Sequence, residues 1–318
     1  MKLAQLPTPL EPMERLAKWL GGPRLLVKRD DLTGLAMGGN KARKLEFLCA
    51  EALANDCDVL VTGGGPQSNH VRMTTAAANR VGLECHIALS ADEPDISTGN
   101  LLLDRVLGAQ LHFVGSQEYY GIEAAIEGVA ADLSRAGRRP FAIPVGGASL
   151  TGVRAYVRAV DELVTQLDGE PINWIVVADG SGGTHAGILA GIDDRTRVLG
   201  VDVGTRPDLD EKVPELAAAA ASAEGRAAPN DAIIDHDNFG DGYGAVTDSM
   251  VEALRSTGRL EGIVLDPVYS GKAMAGLIAA ARDGRIGADE TVVFWHTGGA
   301  PALFADRYAA VFSHGNGG

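Results

Sequence analysis

The segment Trp174-Ile175-Val176-Val177-Ala178-Asp179-Gly180-Ser181-Gly182-Gly183-Thr184-His185-Ala186-Gly187 decides the fold. Its first five residues form an apolar run of the length of a buried strand, and the small residues after it turn the chain into a helix. Such a turn offers free backbone amides, and the helix N-terminus adds partial positive charge. With the Ser181 and Thr184 hydroxyls alongside, Ser181, Gly182, Gly183 and Thr184 form a candidate phosphate cradle. The dinucleotide fingerprint would want glycine where His185 stands, and the nucleoside-triphosphate loop would want Lys followed by Ser or Thr. A phosphomonoester suits the loop better than either, with a plain strand-to-helix turn as the bland alternative.

The same alternation extends outward. Asp58–Thr62, Glu84–Leu89, Gln110–Val114, Arg197–Val203 and Thr291–His296 read as further buried strands, and Val71–Val81, Gly121–Ala136, Val153–Leu167 and Gly271–Ala281 read as helices. Strand and helix in alternation imply an α/β protein with parallel sheets covered by helices on both faces. At 318 residues, two open twisted sheets fit better than one very wide sheet. Three evenly spaced strand-helix units suggest a smaller inserted domain at residues 44–148, with 1–43 and 149–318 forming the larger one. The Pro144–Ala148 stretch is the candidate crossing point, and Ala-rich Leu216–Ala228 reads as a surface helix and polar loop.

Composition narrows the function classes. A net charge of −14 with no basic stripe repels nucleic acid. No uncharged stretch is long enough to span a bilayer and the N-terminus lacks an apolar signal core, so a cytoplasmic location without membrane attachment is expected. Cys49, Cys57 and Cys85 lack the paired short spacings of zinc sites, which favours reduced, packed thiols and no metal. Small-molecule chemistry is the leading class.

Three further loops carry candidate chemistry. In Met37-Gly38-Gly39-Asn40-Lys41-Ala42-Arg43-Lys44, two glycines precede a lysine at an apparent helix start. Desolvation and the positive end of the helix dipole both disfavour an ammonium there, and a lysine with a lowered pKa can form a Schiff base with a carbonyl cofactor. Lys41 is the candidate; a solvated surface lysine is the commoner outcome, and Lys44 or Lys272 could be argued with equal licence. Gly63-Gly64-Gly65-Pro66-Gln67-Ser68-Asn69-His70 again presents amides, a hydroxyl and a carboxamide, where an amino-acid carboxylate could dock. Ser68 and Asn69 are equally good as helix caps, and His70 shares the ambiguity. Gly242-Tyr243-Gly244 and Asp266-Pro267-Val268-Tyr269-Ser270-Gly271 place tyrosines in glycine-flanked loops, where phenols can act as acids or simply pack, and His296-Thr297-Gly298-Gly299 ends a strand.

Taken together with Leu6-Pro7-Thr8-Pro9-Leu10-Glu11 and Lys28-Arg29-Asp30-Asp31, these segments resemble, nearly end to end, the D-cysteine desulfhydrase and 1-aminocyclopropane-1-carboxylate deaminase family. That family has the tryptophan-synthase-β-like fold of pyridoxal-phosphate enzymes, fold type II. The resemblance implies pyridoxal 5′-phosphate as cofactor and a small amino acid as substrate, with Lys41 binding the cofactor and later moving the α-proton. It also implies that Asn40, Ser181, Gly182, Gly183 and Thr184 help bind the cofactor and that Asn69 reaches its ring hydroxyl or the substrate. Ser68, His70, Tyr243 and Tyr269 would lie beside the substrate, and a homodimer is expected.

The deaminases resemble one another in having Glu immediately after the tyrosine matched by Tyr269, whereas this chain has Ser270, and they tend to have Gln in place of His70. A hydroxyl from Ser270 or Thr297 leaves the pyridine nitrogen less protonated, which suits elimination of a good β-leaving group over ring opening. The expected reaction is therefore β-elimination, D-cysteine giving pyruvate, sulfide and ammonium, with the cyclopropane substrate or L-cysteate as alternatives. The glycine-rich 63–66 stretch suggests an altered substrate pocket. A rival reading is an α/β protein that binds some other phosphorylated ligand without pyridoxal chemistry, which accounts for the phosphate loop alone.

Overall fold

The computed structural model describes residues 1–313. Its strands in chain order are β1 (Leu10–Pro12), β2 (Arg24–Arg29), β3 (Val59–Gly64), β4 (Glu84–Leu89), β5 (Gln110–Phe113), β6 (Pro140–Ala142), β7 (Trp174–Asp179), β8 (Arg197–Asp202), β9 (Ile233–Asp235) and β10 (Thr291–His296). They form two sheets, ordered β1-β2-β10-β7-β8-β9 and β5-β4-β3-β6. Every pairing is parallel except that of β1 with β2. The strands anticipated from apolar runs all form, within a residue or two of their expected ends.

The central strand β7 is buried along its whole length, and helices cover both faces of its sheet. On one side Val157, Val160 and Leu163 of the helix Leu150–Leu167 meet Ile175 and Val177. On the other, Met274, Leu277 and Ile278 of the helix Ser270–Arg282 meet Val176 and Phe294. Alternate residues of one strand thus feed two cores, and each fully buried aliphatic side chain contributes roughly 1.5–3 kcal/mol. The small sheet is packed likewise, by the helices Lys41–Ala54 and Asn69–Val81 on one face and Tyr119–Arg135 on the other.

Four strands were not visible as apolar runs. β6 is a three-residue edge strand that begins with Pro140, and it makes the small block four-stranded where three units were expected. β2 hides its buried Leu25-Leu26-Val27 between charged residues, and β1 and β9 are short edge strands. β1 is antiparallel, so the larger sheet is mixed where a parallel one was expected. The Ala-rich helix begins earlier than expected, spanning Leu209–Ala223, and buries Leu209, Val213, Leu216 and Ala220 along one face. It is therefore half core and half surface.

Asp30, at the end of β2, ties these layers to the N-terminus of the helix Lys41–Ala54. Fully buried, its carboxylate accepts hydrogen bonds from Arg43, Tyr156, Trp295 and Thr8. Burial alone would raise its pKa, but Arg43 and the neutral donors outweigh that and hold it below the usual carboxylate range.

Candidate active site

Lys41 is the first residue of its helix, and its place is set by the turn before it. Gly38 has φ +76°, and a Cβ there would lie 1.8 Å from the Asp31 carbonyl oxygen, so only glycine fits. The Gly39 amide donates to the Asp30 carbonyl at 3.0 Å and the Asn40 amide to the Thr297 carbonyl at 2.9 Å. This fastens the lysine turn to the end of β10. Burial lowers the Lys41 pKa to about 8, against the pull of Asp179. Of the three lysines weighed from sequence, Lys41 lines a narrow cavity beyond the carboxyl ends of β3, β7 and β10.

Another wall of that cavity is the loop after β7. The first helical hydrogen bond runs from the Ala186 amide to the Gly182 carbonyl, so the amides of Gly183 and Thr184 have no acceptor within the helix. Ser181, Gly182 and Thr184 line the cavity, and Asn40 Nδ2 donates to Thr184 Oγ1 at 3.0 Å, joining lysine turn and cradle. The Val145–Gly147 turn closes over the loop: a Cβ on Gly146 would lie 2.4 Å from Ser181 Oγ. Lys44, one turn beyond Lys41 and fully buried, donates to the Gly146 carbonyl at 3.1 Å. Its Nζ lies 2.7 Å from where a Cβ on Gly183 would stand. Burial and the neighbouring Lys41 both lower its pKa. Cradle amides, two lysines and buried hydroxyls, one of them the unpartnered Thr205 Oγ1, suit a phosphate dianion.

At the third side, Ser68 caps the helix Asn69–Val81, its Oγ accepting from the Val71 amide at 3.4 Å, and it also lines the cavity. Capping and site membership coexist. Asn69 Oδ1 accepts from Asn100 Nδ2 at 3.2 Å, which leaves the Asn69 amide nitrogen as its free donor. Asn100 is itself held by Arg72, whose other guanidinium nitrogen donates to the Gly38 carbonyl. His70 Nε2 lies 3.0 Å from Thr62 Oγ1, and that hydroxyl gives its own proton to the Ile143 carbonyl at 2.8 Å. His70 Nε2 therefore carries a hydrogen and Nδ1 is a bare, buried acceptor. Burial, with Lys41 and Lys44 adding to it, pushes the His70 pKa well down, so the ring is neutral.

Outside the cavity opens a cleft of about 1100 Å³ between the two sheets, and Ser68, Val145, Thr205 and Tyr269 line both spaces. The Tyr243 and Tyr269 hydroxyls are 2.6 Å apart at the junction. Burial raises the pKa of both phenols, so both are neutral at physiological pH. A Cβ on Gly65 would come within 3.1 Å of the Tyr243 ring, and one on Gly64 within 2.9 Å of Ser68 Oγ. The glycine-rich 63–65 stretch thus makes room for site residues. Arg206 Nη1 donates to Tyr119 Oη at 2.6 Å and joins the two walls of the cleft.

The two hydroxyls expected at the pyridine nitrogen differ in placement. Thr297 lines the cavity. Ser270 does not: its Oγ donates to Asp266 Oδ1 at 2.6 Å and accepts from the Asp266 amide at 2.8 Å. The Asp266 carboxylate accepts from the Val268, Tyr269 and Ser270 amides at the entry to the helix Ser270–Arg282, and the Ser270 side chain is folded back onto it. Sequence reasoning missed Thr205, Gly146, Asn100 and Arg72. Thr205 follows the end of β8, so the rule that sites gather beyond strand carboxyl ends would have found it. Gly146 falls within the Pro144–Ala148 stretch read as the crossing point, with no site role expected of it there, while Asn100 and Arg72 owe their place to long-range packing and leave no local signal.

A lysine of lowered pKa facing a phosphate cradle, in a crevice between two helix-covered sheets, defines an α/β enzyme built to hold a phosphorylated carbonyl cofactor. Residues 1–298 match the family model for pyridoxal-phosphate dependent enzymes, and the chain belongs to that family. The cofactor is pyridoxal 5′-phosphate, and the rival reading of a phosphorylated-ligand binder without pyridoxal chemistry is set aside. The crystal structure of an ACC deaminase homologue is similar over 98% of this chain and 96% of its own, with 37% identity and a TM-score of 0.91. The processed form of threonine deaminase isoform 2 from Solanum lycopersicum shares the fold at 18% identity and a TM-score of 0.66, over 92% of this chain and 79% of that one. A hydrogen sulfide-producing enzyme from Fusobacterium nucleatum does so at 15% identity and a TM-score of 0.69, over 93% and 96%. The architecture is that of fold type II pyridoxal-phosphate enzymes.

Proposed function

We propose that the protein is a carbon–sulfur lyase that eliminates the β-substituent of a small amino acid, with D-cysteine giving pyruvate, sulfide and ammonium. The observation that carries this reading is the makeup of the cavity wall. Among the described residues its only carboxylate is Asp179, engaged with His185 at 2.7 Å, and of the two hydroxyl residues expected at the pyridine nitrogen Thr297 lines the cavity while Ser270 does not. A pyridine that meets a hydroxyl keeps less positive charge than one that meets a carboxylate, which favours loss of a good leaving group over ring opening.

Bound here, the cofactor supplies the electron sink for bond breaking at the substrate's α-carbon. Lys41 would hold it, and its Nζ would take the α-proton of the substrate. Ser181, Gly182, Gly183 and Thr184 would hold the phosphate, with Asn40 bracing Thr184, and Asn69 would offer its free amide hydrogens to the cofactor's ring oxygen. The helix N-terminus at Ser68 and Asn69 receives the substrate carboxylate, His70 backs that wall, and the Tyr243–Tyr269 pair offers a proton to the departing sulfur.

A second reading is kept because a homologue of ACC deaminase is 37% identical: cleavage of 1-aminocyclopropane-1-carboxylate to 2-oxobutyrate and ammonium. L-cysteate, losing sulfite, is a third. The proposal also takes residues 44–148 as the smaller domain, inserted between 1–43 and 149–318, and places the protein in the cytoplasm as a homodimer. Among the described residues no helix is long and apolar enough to cross a membrane.

The test compares wild type with Lys41→Ala, each incubated separately with D-cysteine, L-cysteine, L-cysteate and 1-aminocyclopropane-1-carboxylate. Pyruvate and sulfide from D-cysteine, with the visible absorbance of bound cofactor and turnover both lost in the variant, support the proposal. Turnover of the cyclopropane substrate to 2-oxobutyrate in preference to D-cysteine overturns it.

A further inference from the structure

Lys272 is a buried charge that the reaction above leaves unused. It sits in the first turn of the helix Ser270–Arg282, where the positive end of the dipole opposes an ammonium. Burial lowers its pKa to about 8, against the pull of Asp266 and Asp202. An unbranched apolar side chain would occupy the place at lower cost. What the ammonium does is donate to two backbone carbonyls, that of Phe239 at 2.8 Å and that of Gly242 at 3.1 Å.

Those carbonyls belong to the loop between β9 and the helix Asp248–Glu261, in which Gly240, Gly242 and Gly244 all have positive φ. A backbone so rich in glycine has little preference for one path. Tyr243 is held from both sides, by Lys272 on the Gly242 carbonyl and by Tyr308 and Arg307 on the Gly244 carbonyl. Lys272 also belongs to the helix that begins directly after Tyr269. The two tyrosine-bearing segments are therefore joined twice, through the paired hydroxyls and through this ammonium.

We propose that Lys272 is a positioning residue for the tyrosine pair: its ammonium does from within the chain what a bound monovalent cation does among loop carbonyls, and through Phe239 and Gly242 it fixes Tyr243 against Tyr269. Carbonyl dipoles that satisfy an ammonium also satisfy a potassium ion of similar size. The inference rests on the reading of Tyr243 and Tyr269 as groups that act on the substrate.

Lys272→Ala removes the charge and leaves room beside the two carbonyls, whereas Lys272→Met removes the charge and fills the room. Both holoenzymes are assayed in chloride salts of potassium, ammonium and tetramethylammonium at equal ionic strength. Both variants are expected to lose roughly 30- to 100-fold in kcat with KM and the cofactor's absorbance little changed, since a misplacement of about 1 Å costs that much. Potassium and ammonium should restore roughly tenfold or more of that loss in Lys272→Ala alone, and the bulkier ion none of it. Combined with Tyr243→Phe, Lys272→Ala should add little further loss, because both act through one hydroxyl. A second readout needs no substrate: cleavage at the exposed Asp237 and Asp241 by an aspartate-directed protease should quicken in Lys272→Ala and slow again in potassium. A loss that no cation relieves, with proteolysis unchanged from wild type, overturns the proposal, as does a loss that merely follows thermal stability in both variants. If wild type fails to use D-cysteine, the proposed function falls while the proteolysis result still decides the role of Lys272.

Discussion

The amine of Lys41 should attach the cofactor in a pH range that its burial dictates. With a pKa of about 8 in place of 10.5, roughly a tenth of it is free at pH 7, against about 0.03% for an ordinary lysine, a gain of roughly 300-fold in reactive amine. The sign follows from desolvation: removing water penalises the ammonium, and the charge of Asp179 only partly compensates. Enzyme stripped of cofactor is mixed with pyridoxal phosphate across about pH 6 to 10, and the visible band of the covalently bound form is followed by stopped flow. The rate should rise roughly tenfold per pH unit and level off near 8. Asp179→Asn removes the charge that favours the ammonium, so the plateau should begin at lower pH, with circular dichroism verifying that losing the His185 partner leaves the fold intact. A rate still climbing at pH 10, or a plateau moved upward in Asp179→Asn, would refute the desolvation argument.

Asn100→Ala frees the Asn69 carboxamide to turn over and leaves Arg72 short of an acceptor; kcat should fall roughly tenfold or more while cofactor remains bound, with a displaced absorbance maximum as the check. Gly38→Ala forces a Cβ into the Asp31 carbonyl at positive φ and should cost about 3 kcal/mol or more, read as a lowered denaturation midpoint and lost cofactor binding. Asp104 is buried with both oxygens unpartnered, and burial raises its pKa to about 8 against the pull of Arg72. The folded state thus keeps a proton that the unfolded chain releases near pH 4, so this contribution is complete below about 4 and lost as pH climbs through about 8. Asp104→Asn should flatten that decline, gaining up to roughly 5 kcal/mol on wild type between pH 4 and 8 in guanidinium titrations; parallel pH profiles would count against it.

What the sequence determined by itself is local: the apolar run of β7 and its glycine turn, the lysine behind Gly38-Gly39, and Ser68 at a helix start. These depend on residues within a few positions of one another, where strand period, glycine φ and capping chemistry act directly. Three-residue edge strands such as β6, and β2 with charged ends, carry too few apolar residues to register. Only the tertiary structure decided what each side chain does once there. Ser270 and Thr297 are both hydroxyls at element ends, yet one is folded onto Asp266 and the other lines the cavity. Lys41, Lys44 and Lys272 look alike in sequence, yet one faces the cavity, one packs beneath the phosphate loop and one ties down the Tyr243 loop. The physical reason is that a hydrogen bond or a desolvated charge is settled by whichever distant backbone arrives within about 3 Å, and that arrival is a property of the whole packed chain.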